Sequence, residues 1–385
     1  MRSEFLPFSP PDIGAEEIME VTAALSSGWL TTGPRVKEFE TVFANYLHAP
    51  AALAVSSATD AMLVGLAALG VGPGDEVITT TMTFCSTLHV IEHVGARPVL
   101  VDIQPDTLNI DPARIAAAVT PRTRAIMPVH LYGHPCDIDY IQDIADAHHL
   151  YVLEDAAHAL PARFKGSTIG TLGTLTAFSF YATKNLTTGE GGMLTGDPSL
   201  IDLARIWSLH GMSRDAFKRY QAEGSWFYEV VLPGFKCNMT DLAAAIGLVQ
   251  LHRLPELQAR RRALVRRYNE AFAALPELEL PTVRPDVEPA WHIYAVRLNL
   301  QRLTIDRARF INELKQRNIG ASVHFIPNHL QPYYRDKYAY KPEDFPVAYR
   351  EYQRLVSLPL SPAHSDTDIA DVIAAVTDIC TQYRR

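Results

Sequence analysis

Two short stretches hold the residues best suited to do chemistry. In Phe178-Ser-Phe-Tyr-Ala-Thr-Lys184 a lysine follows an apolar, strand-like run (Leu175 to Phe180) and precedes Asn185-Leu-Thr-Thr-Gly-Glu-Gly-Gly192, a turn rich in Thr and Gly. In Leu150-Tyr-Val-Leu-Glu-Asp-Ala-Ala-His158 a second apolar strand ends in a carboxylate, Asp155, with His158 three residues on. An ammonium is costly to desolvate without a partner, so a lysine held at a strand end is usually kept for chemistry rather than solubility. In open α/β sheets, groups at the carboxyl ends of strands face the ligand crevice. A lysine and an acid, each delivered by its own strand end, call for a ligand that uses both.

Pyridoxal 5'-phosphate is such a ligand. Its aldehyde condenses with a lysine amine, and an aspartate beside its pyridine nitrogen keeps that nitrogen protonated so that the ring can draw off electrons. Its phosphate needs an anion site. Ser56, Ser57, Ala58 and Thr59 stand where the apolar strand Ala51 to Val55 turns into a helix, and backbone N–H groups and hydroxyls at a helix N-terminus attract anions. Taken alone such a turn is an ordinary helix cap; beside Lys184 and Asp155 the phosphate reading is preferred. Gly70-Val-Gly-Pro-Gly-Asp75 is not a dinucleotide fingerprint, because it follows a helix and precedes a strand, the reverse of what that motif requires.

The elements that must position these groups can be read along the chain. Runs of strand length occur at Ala51 to Val55, Glu76 to Thr80, Pro98 to Asp102, Ala125 to His130 and Tyr151 to Glu154, separated by helical patterns such as Thr59 to Leu69. The alternation predicts an α/β fold, a mainly parallel sheet covered by helices on both faces. Residues 1 to 35 read as an irregular leader with a helix near Ala15 to Ser26. Asp241 to Leu275 has helical periodicity interrupted by Pro255 and is expected to connect two lobes. The division is a large domain with its leader over 1–255 and a smaller α+β domain over 256–385. The latter holds a strand at His292 to Asn299, a helix at Asp306 to Asn318, a strand at Ala321 to Phe325 and a helix at Asp366 to Tyr383. A chain of 385 residues suits two packed lobes.

Composition excludes several function classes. A net charge of -8 argues against a nucleic-acid partner, which would call for a basic face. Cys85, Cys136, Cys237 and Cys380 lie far apart with no Cys-x-x-Cys, the pattern of reduced thiols rather than disulfides or zinc. His130 and His134 are four apart, but Gly133 and Pro135 break the helix that zinc-type spacing would need, so no metal is expected. The N-terminus has no basic region followed by an apolar core, and no apolar run is long enough to cross a bilayer. A soluble, cytoplasmic protein without a membrane partner is expected.

Glu154-Asp-Ala-Ala-His158, Ser179-Phe-Tyr-Ala-Thr-Lys-Asn185 and Thr187-Thr-Gly-Glu-Gly-Gly192, in this order and spacing, resemble the DegT-type sugar aminotransferases, fold-type-I pyridoxal-phosphate enzymes acting on nucleotide-linked keto sugars. Further matches occur at Ser27-Gly-Trp-Leu-Thr-Thr-Gly-Pro34, Ala54-Val-Ser-Ser-Ala-Thr59, Gly74-Asp-Glu-Val-Ile-Thr79 and Gly234-Phe-Lys-Cys-Asn-Met-Thr-Asp241, so the resemblance spans nearly the whole chain. It implies a seven-stranded sheet in the large domain and amino transfer from L-glutamate to the keto carbon of a nucleotide-diphosphate sugar. Lys184 would hold the cofactor and move the proton, with Asp155 on the pyridine nitrogen. Ser57, Ala58, Thr59 and Ser179 would hold the phosphate, Phe84 would stack on the ring, and His158 would sit near the ring oxygen. Asn238 would reach the phosphate of the neighbouring subunit's cofactor, so that shared sites are complete only in a homodimer. Trp29, Thr31, His324 and His329 are implied to border the sugar pocket.

The chain departs from the family pattern at Cys237, where relatives often have an aromatic residue, and at Tyr181, where many have His. Related dehydratases replace the lysine with histidine, so Lys184 speaks against that class. A non-catalytic, cofactor-binding regulator is the reading of another kind, and no basic DNA-binding face supports it. Within the family, Ser3-Glu-Phe-Leu-Pro-Phe-Ser-Pro10, Ala290-Trp-His-Ile-Tyr294 and Ser357-Leu-Pro-Leu360 most resemble enzymes acting on UDP-4-keto-pentose. Those acting on UDP-4-keto-6-deoxy-N-acetylhexosamines are close in pattern. One methyl in a pocket is worth only about 1–3 kcal/mol, too little to leave a separate signature.

Overall fold

The computed structural model describes residues 2–212 and 227–385. Seven strands form the central sheet, in the spatial order Ala51–Val55, Gly192–Gly196, Leu175–Ser179, Tyr151–Asp155, Thr123–Met127, Glu76–Thr80 and Arg97–Val101. The last five run parallel to one another. Gly192–Gly196 is antiparallel to both of its neighbours. Parallel neighbours need crossovers, and the helices Ser86–His93, Pro112–Ala118 and Ile138–His148 supply them.

Both faces of the sheet are buried. Glu76–Thr80 and Gly192–Gly196 have every residue inside, so neither strand shows an exposed polar face. Successive side chains still go to opposite faces. Phe178 packs with Phe39, Phe43 and Phe180 on one side, whereas Leu175 and Ala177 join Met62, Leu66 and Leu153 on the other. The helix Pro34–Leu47, not singled out in the sequence, carries Val36, Phe39, Phe43 and Leu47 into the first of these cores at helical spacing.

The helix Asp241–Phe272 runs unbroken through Pro255. It gives Leu251 and Leu254 to the sheet core and Leu264, Val265, Tyr268 and Phe272 to a second core. That second core also contains the strands Tyr294–Leu298 and Leu355–Leu358 and the helix Asp366–Gln382. The leader is tied into it by Leu6, which donates its N–H to the Asn318 carbonyl at 2.8 Å. No described helix is long and apolar enough to cross a membrane.

One expected element is absent. Ala321 to Phe325 does not form a strand; only Ser322 bridges Ser357, with N–H···O distances of 3.1 and 2.8 Å. Beyond that bridge the chain turns toward the sheet, and the Tyr132 hydroxyl donates to the His324 carbonyl. The alternating apolar pattern there serves ring packing instead of a ladder: His324 stacks on Phe8 and Phe325 lies 5.8 Å from Phe84.

Candidate active site

A cavity of about 510 Å³ opens at the carboxyl ends of the parallel strands. Lys184 enters it from the loop after Leu175–Ser179. That loop is folded back on its own strand: Lys184 N–H donates to Tyr181 O at 2.9 Å, and Phe180 exchanges backbone bonds with Gly191 and Thr188 at 2.9 Å each. The clamp leaves the lysine stem one way to go, into the cavity. Burial lowers the Lys184 amine from its ordinary value to about 8, with Asp155 pulling the other way.

Asp155, at the end of the adjacent strand, is buried. One carboxylate oxygen accepts from Thr87 Oγ1 at 2.8 Å and the other from the Ala157 N–H at 3.1 Å. Burial pushes its pKa up, while the Ala157 and Thr87 bonds, Lys184 and His130 act in the opposite direction. Two neutral donors leave acceptor sites on the carboxylate unused. A cationic ring N–H is the partner such a group lacks.

The phosphate end is built from backbone. Ser57 caps the helix Ala58–Ala68, its hydroxyl accepting from Asp60 N–H at 3.0 Å. The N–H groups of Ala58 and Thr59 have no intrahelical carbonyl to meet, and both residues line the cavity. A Cβ on Gly192 would stand 2.3 Å from the Ser57 carbonyl carbon, so only glycine lets this strand lie against the turn. Ser179 lines the same end.

Three histidines complete the wall. His158 accepts from Tyr132 N–H on Nδ1 at 3.3 Å, lies 4.5 Å from the His292 ring and stacks on Phe325 at 5.7 Å. His292 Nδ1 meets Asn185 at 3.3 Å, and His324 Nδ1 meets Ser357 Oγ at 3.0 Å. Burial, then Lys184, drives His158 and His292 well below the ordinary imidazole range and His324 down to about 4. All three are therefore neutral near pH 7. Phe84, 57 % exposed within this cavity, keeps a ring face free for a flat ligand.

The cavity thus unites Ser57, Ala58, Thr59, Phe84, Asp155, His158, Ser179, Lys184 and His324. It does not include Trp29, Thr31, Asn238 or His329. Asn238 donates to Thr32 Oγ1 at 2.7 Å and accepts from Lys236. The Trp29 indole donates to Thr32 O at 3.0 Å, and Thr31 O accepts from Asp241 N–H at 3.1 Å. His329 corrects the expectation that both loop histidines border the pocket. It is fully buried, with Nδ1 on Thr81 Oγ1 at 2.7 Å and its ring 4.7 Å from Phe345. His292, Thr87 and Phe325 were not foreseen as site residues. The only sequence trace of His292 was its place in Ala290-Trp-His-Ile-Tyr294. Among the described residues no group of three or more His, Cys, Asp or Glu is placed to hold a metal ion.

Unclaimed N–H donors at one end, an acid without a cation at the other and a lysine of lowered basicity between them fit pyridoxal phosphate. The comparisons agree. Residues 11–377 match the DegT/DnrJ/EryC1/StrS aminotransferase family. The chain is 53 % identical over 380 residues to the spore coat polysaccharide biosynthesis protein SpsC of Bacillus subtilis, covering 98 % of each. Spr1654 of Streptococcus pneumoniae, assigned as a sugar aminotransferase, has been solved in pyridoxal- and pyridoxamine-phosphate forms. The pyridoxal form superposes with a TM-score of 0.92 at 36 % identity, covering 98 % of this chain and 99 % of that one. PseC of Helicobacter pylori, an aminotransferase of pseudoaminic acid biosynthesis, superposes with a TM-score of 0.91 at 25 % identity over 99 % of this chain and 100 % of that one. The chain belongs to the DegT/DnrJ/EryC1/StrS family and is a pyridoxal-phosphate-dependent sugar aminotransferase.

Proposed function

We propose that the protein moves the amino group of L-glutamate to the keto carbon of a nucleotide-diphosphate 4-keto sugar, with UDP-4-keto-pentose as the first acceptor. The observation that carries this reading is Lys184, among the described residues the only lysine or arginine lining the cavity, with its amine lowered to about 8 beside Asp155. Bound pyridoxal phosphate supplies an electron sink and a temporary seat for the amino group. Free lysine, with a pKa of about 10.4, is almost wholly protonated at neutral pH. At about 8 a useful fraction of Lys184 is neutral, so Nζ can take the proton from the donor α-carbon and return one to the sugar carbon. Asp155 holds the ring nitrogen, the Ser57–Thr59 turn holds the phosphate, and Phe84 orients the ring. The three neutral histidines add hydrogen-bonding nitrogens without a second positive charge.

The spore-coat polysaccharide role in the name of SpsC and the sugar acid in that of PseC support a sugar acceptor. The second acceptor is a UDP-4-keto-6-deoxy-N-acetylhexosamine, whose enzymes are close to this chain in sequence pattern. Trp29, Thr31 and Asn238 lie outside their own chain's cavity, and we assign them to the cavity of a neighbouring subunit in a homodimer. The test is a panel of nucleotide-linked 4-keto sugars incubated with holoenzyme and L-glutamate, reading 2-oxoglutarate and the mass of the amino sugar. Amination of the pentose far ahead of the hexosamine supports the first acceptor. The reverse order replaces it with the second, and no amination of any sugar overturns the reading.

A further inference from the structure

We propose that Thr87 is the positioning residue for Asp155, the last link of a hydroxyl relay that runs from Thr83 through Thr87 and aims the carboxylate at the cofactor ring. This rests on the assignment of Asp155 to the ring nitrogen. Thr83 Oγ1 and Thr87 Oγ1 are 2.8 Å apart, and Thr87 Oγ1 is 2.8 Å from Asp155 Oδ2. An ionised carboxylate can only accept, so the single Thr87 proton points to Asp155. The Thr87 oxygen must then accept from Thr83, which fixes the direction of both bonds. Each bond polarises the next, so the pair is stronger than its parts.

The relay is anchored by a segment distant in the chain. Asn328 donates to the Thr83 carbonyl at 2.7 Å, and its N–H binds Thr81 O at 2.8 Å. Thr87 and Asn328 are buried away from the cavity, so water does not reach the Thr87 hydroxyl, whereas Thr83 is buried at the cavity wall. Asn328 belongs to the loop that also carries His324 and Phe325 into the cavity, so the segment facing the substrate holds the turn that holds Asp155.

The relay has a task to perform. Burial favours the neutral acid, and a neutral Asp155 would leave the ring nitrogen without a counter-charge. The other ionisable groups facing Asp155 are Lys184 and His130, which favour its charge, and the buried thiol of Cys136, which stays neutral. Thr87 and Ala157 are the two donors that contact it directly.

The experiment compares Thr87→Val, Thr87→Ser, Thr83→Val and Asp155→Asn holoenzymes. Readouts are kcat, KM for glutamate, and the pH dependence of both rate and the bound cofactor's visible absorbance. Thr87→Val should lower kcat about 10- to 100-fold with KM little changed, as expected for a charge-assisted hydrogen bond. Its acid limb, in rate and in absorbance, should move to higher pH, because the ionised form has lost a donor. Thr87→Ser should restore the wild-type profile, and Thr83→Val should shift it in the same direction by less. A Ser variant as impaired as Val, or acid limbs unmoved in both Val variants, overturns the relay. Should Thr87→Val fold poorly, Thr83→Val and Thr87→Ser decide alone. Near-normal turnover in Asp155→Asn would instead remove the assignment on which the relay rests.

Discussion

The inner wall of the cavity and the edge that carries Trp29, Thr31 and Asn238 are built on different terms. On the inner wall, Lys184, Asp155 and His158 are held by backbone clamps and buried partners from one chain, and each has its proton affinity displaced by burial. At the edge, Asn238 and Trp29 both turn to Thr32, and the Trp29 side is open to solvent. The difference teaches where reactivity resides. A single chain can desolvate a lysine, but it leaves its outer polar groups satisfied only by one another.

The comparison breaks first at Lys184. Lys184→Ala should lower turnover by roughly 10⁴-fold or more while the cofactor still binds weakly through its phosphate. A borohydride-fixed cofactor found on any other lysine would overturn the assignment. The same residue should cost stability. With the amine at about 8 in the fold and about 10.4 unfolded, the unfolded chain binds more protons between those values, so stability rises with pH across that window. Below pH 8 the cost is fully present. Lys184→Met should therefore stabilise cofactor-free protein by about 2–3 kcal/mol at pH 7, read from the midpoint of urea unfolding.

Asp155→Asn keeps the shape and removes the charge. It should lower kcat by about 10²- to 10³-fold and leave cofactor affinity much less affected, a split read from rates and equilibrium dialysis. Near-normal turnover would mean that burial of the acid serves only the fold.

The edge is tested by mixing. If Asn238 completes a neighbour's cavity, inactive Lys184→Ala and inactive Asn238→Asp subunits should restore roughly a quarter of wild-type activity on exchange, because one site in each mixed dimer is intact. Mixed dimers verified by mass that remain inactive would show that Asn238 acts only within its own chain.

The smallest effect expected is on acid stability. His324 stays neutral down to about pH 4 in the fold but takes up a proton near 6.5 when unfolded, so its contribution to stability is lost as pH falls from 6.5 toward 4. His324→Asn should flatten that part of the profile by about 1–2 kcal/mol, measured as urea midpoints at pH 7 and pH 5. An unchanged slope would mean that the inner wall opens to water before this histidine titrates.

Lys184, Asp155 and the Ser57–Thr59 turn were legible because each is a local event: an apolar run that ends, followed by a residue type with few structural uses. The mainly parallel character of the sheet followed from the same short-range alternation, whereas the spatial order of its strands did not. The strand expected at Ala321 to Phe325 failed because alternation reports which side chains want burial, not whether a segment pairs along a ladder. Leu355–Leu358 is an edge strand of its sheet, and only Ser322 bridges its free side before the Tyr132 hydroxyl binds the His324 carbonyl.

Patterns written over a few residues were thus enough to mark most strands of the large sheet and to single out the lysine, the acid and the chemistry expected to join them. The meeting of His158, His292 and His324, the Thr83–Thr87 relay and the displaced basicity of Lys184 depended on packing. Several of these groups meet only through the tertiary fold, as His158 does with His292 and Thr87 with Asp155. Their proton affinities follow from the water that the assembled walls exclude, and no stretch of sequence carries that quantity on its own.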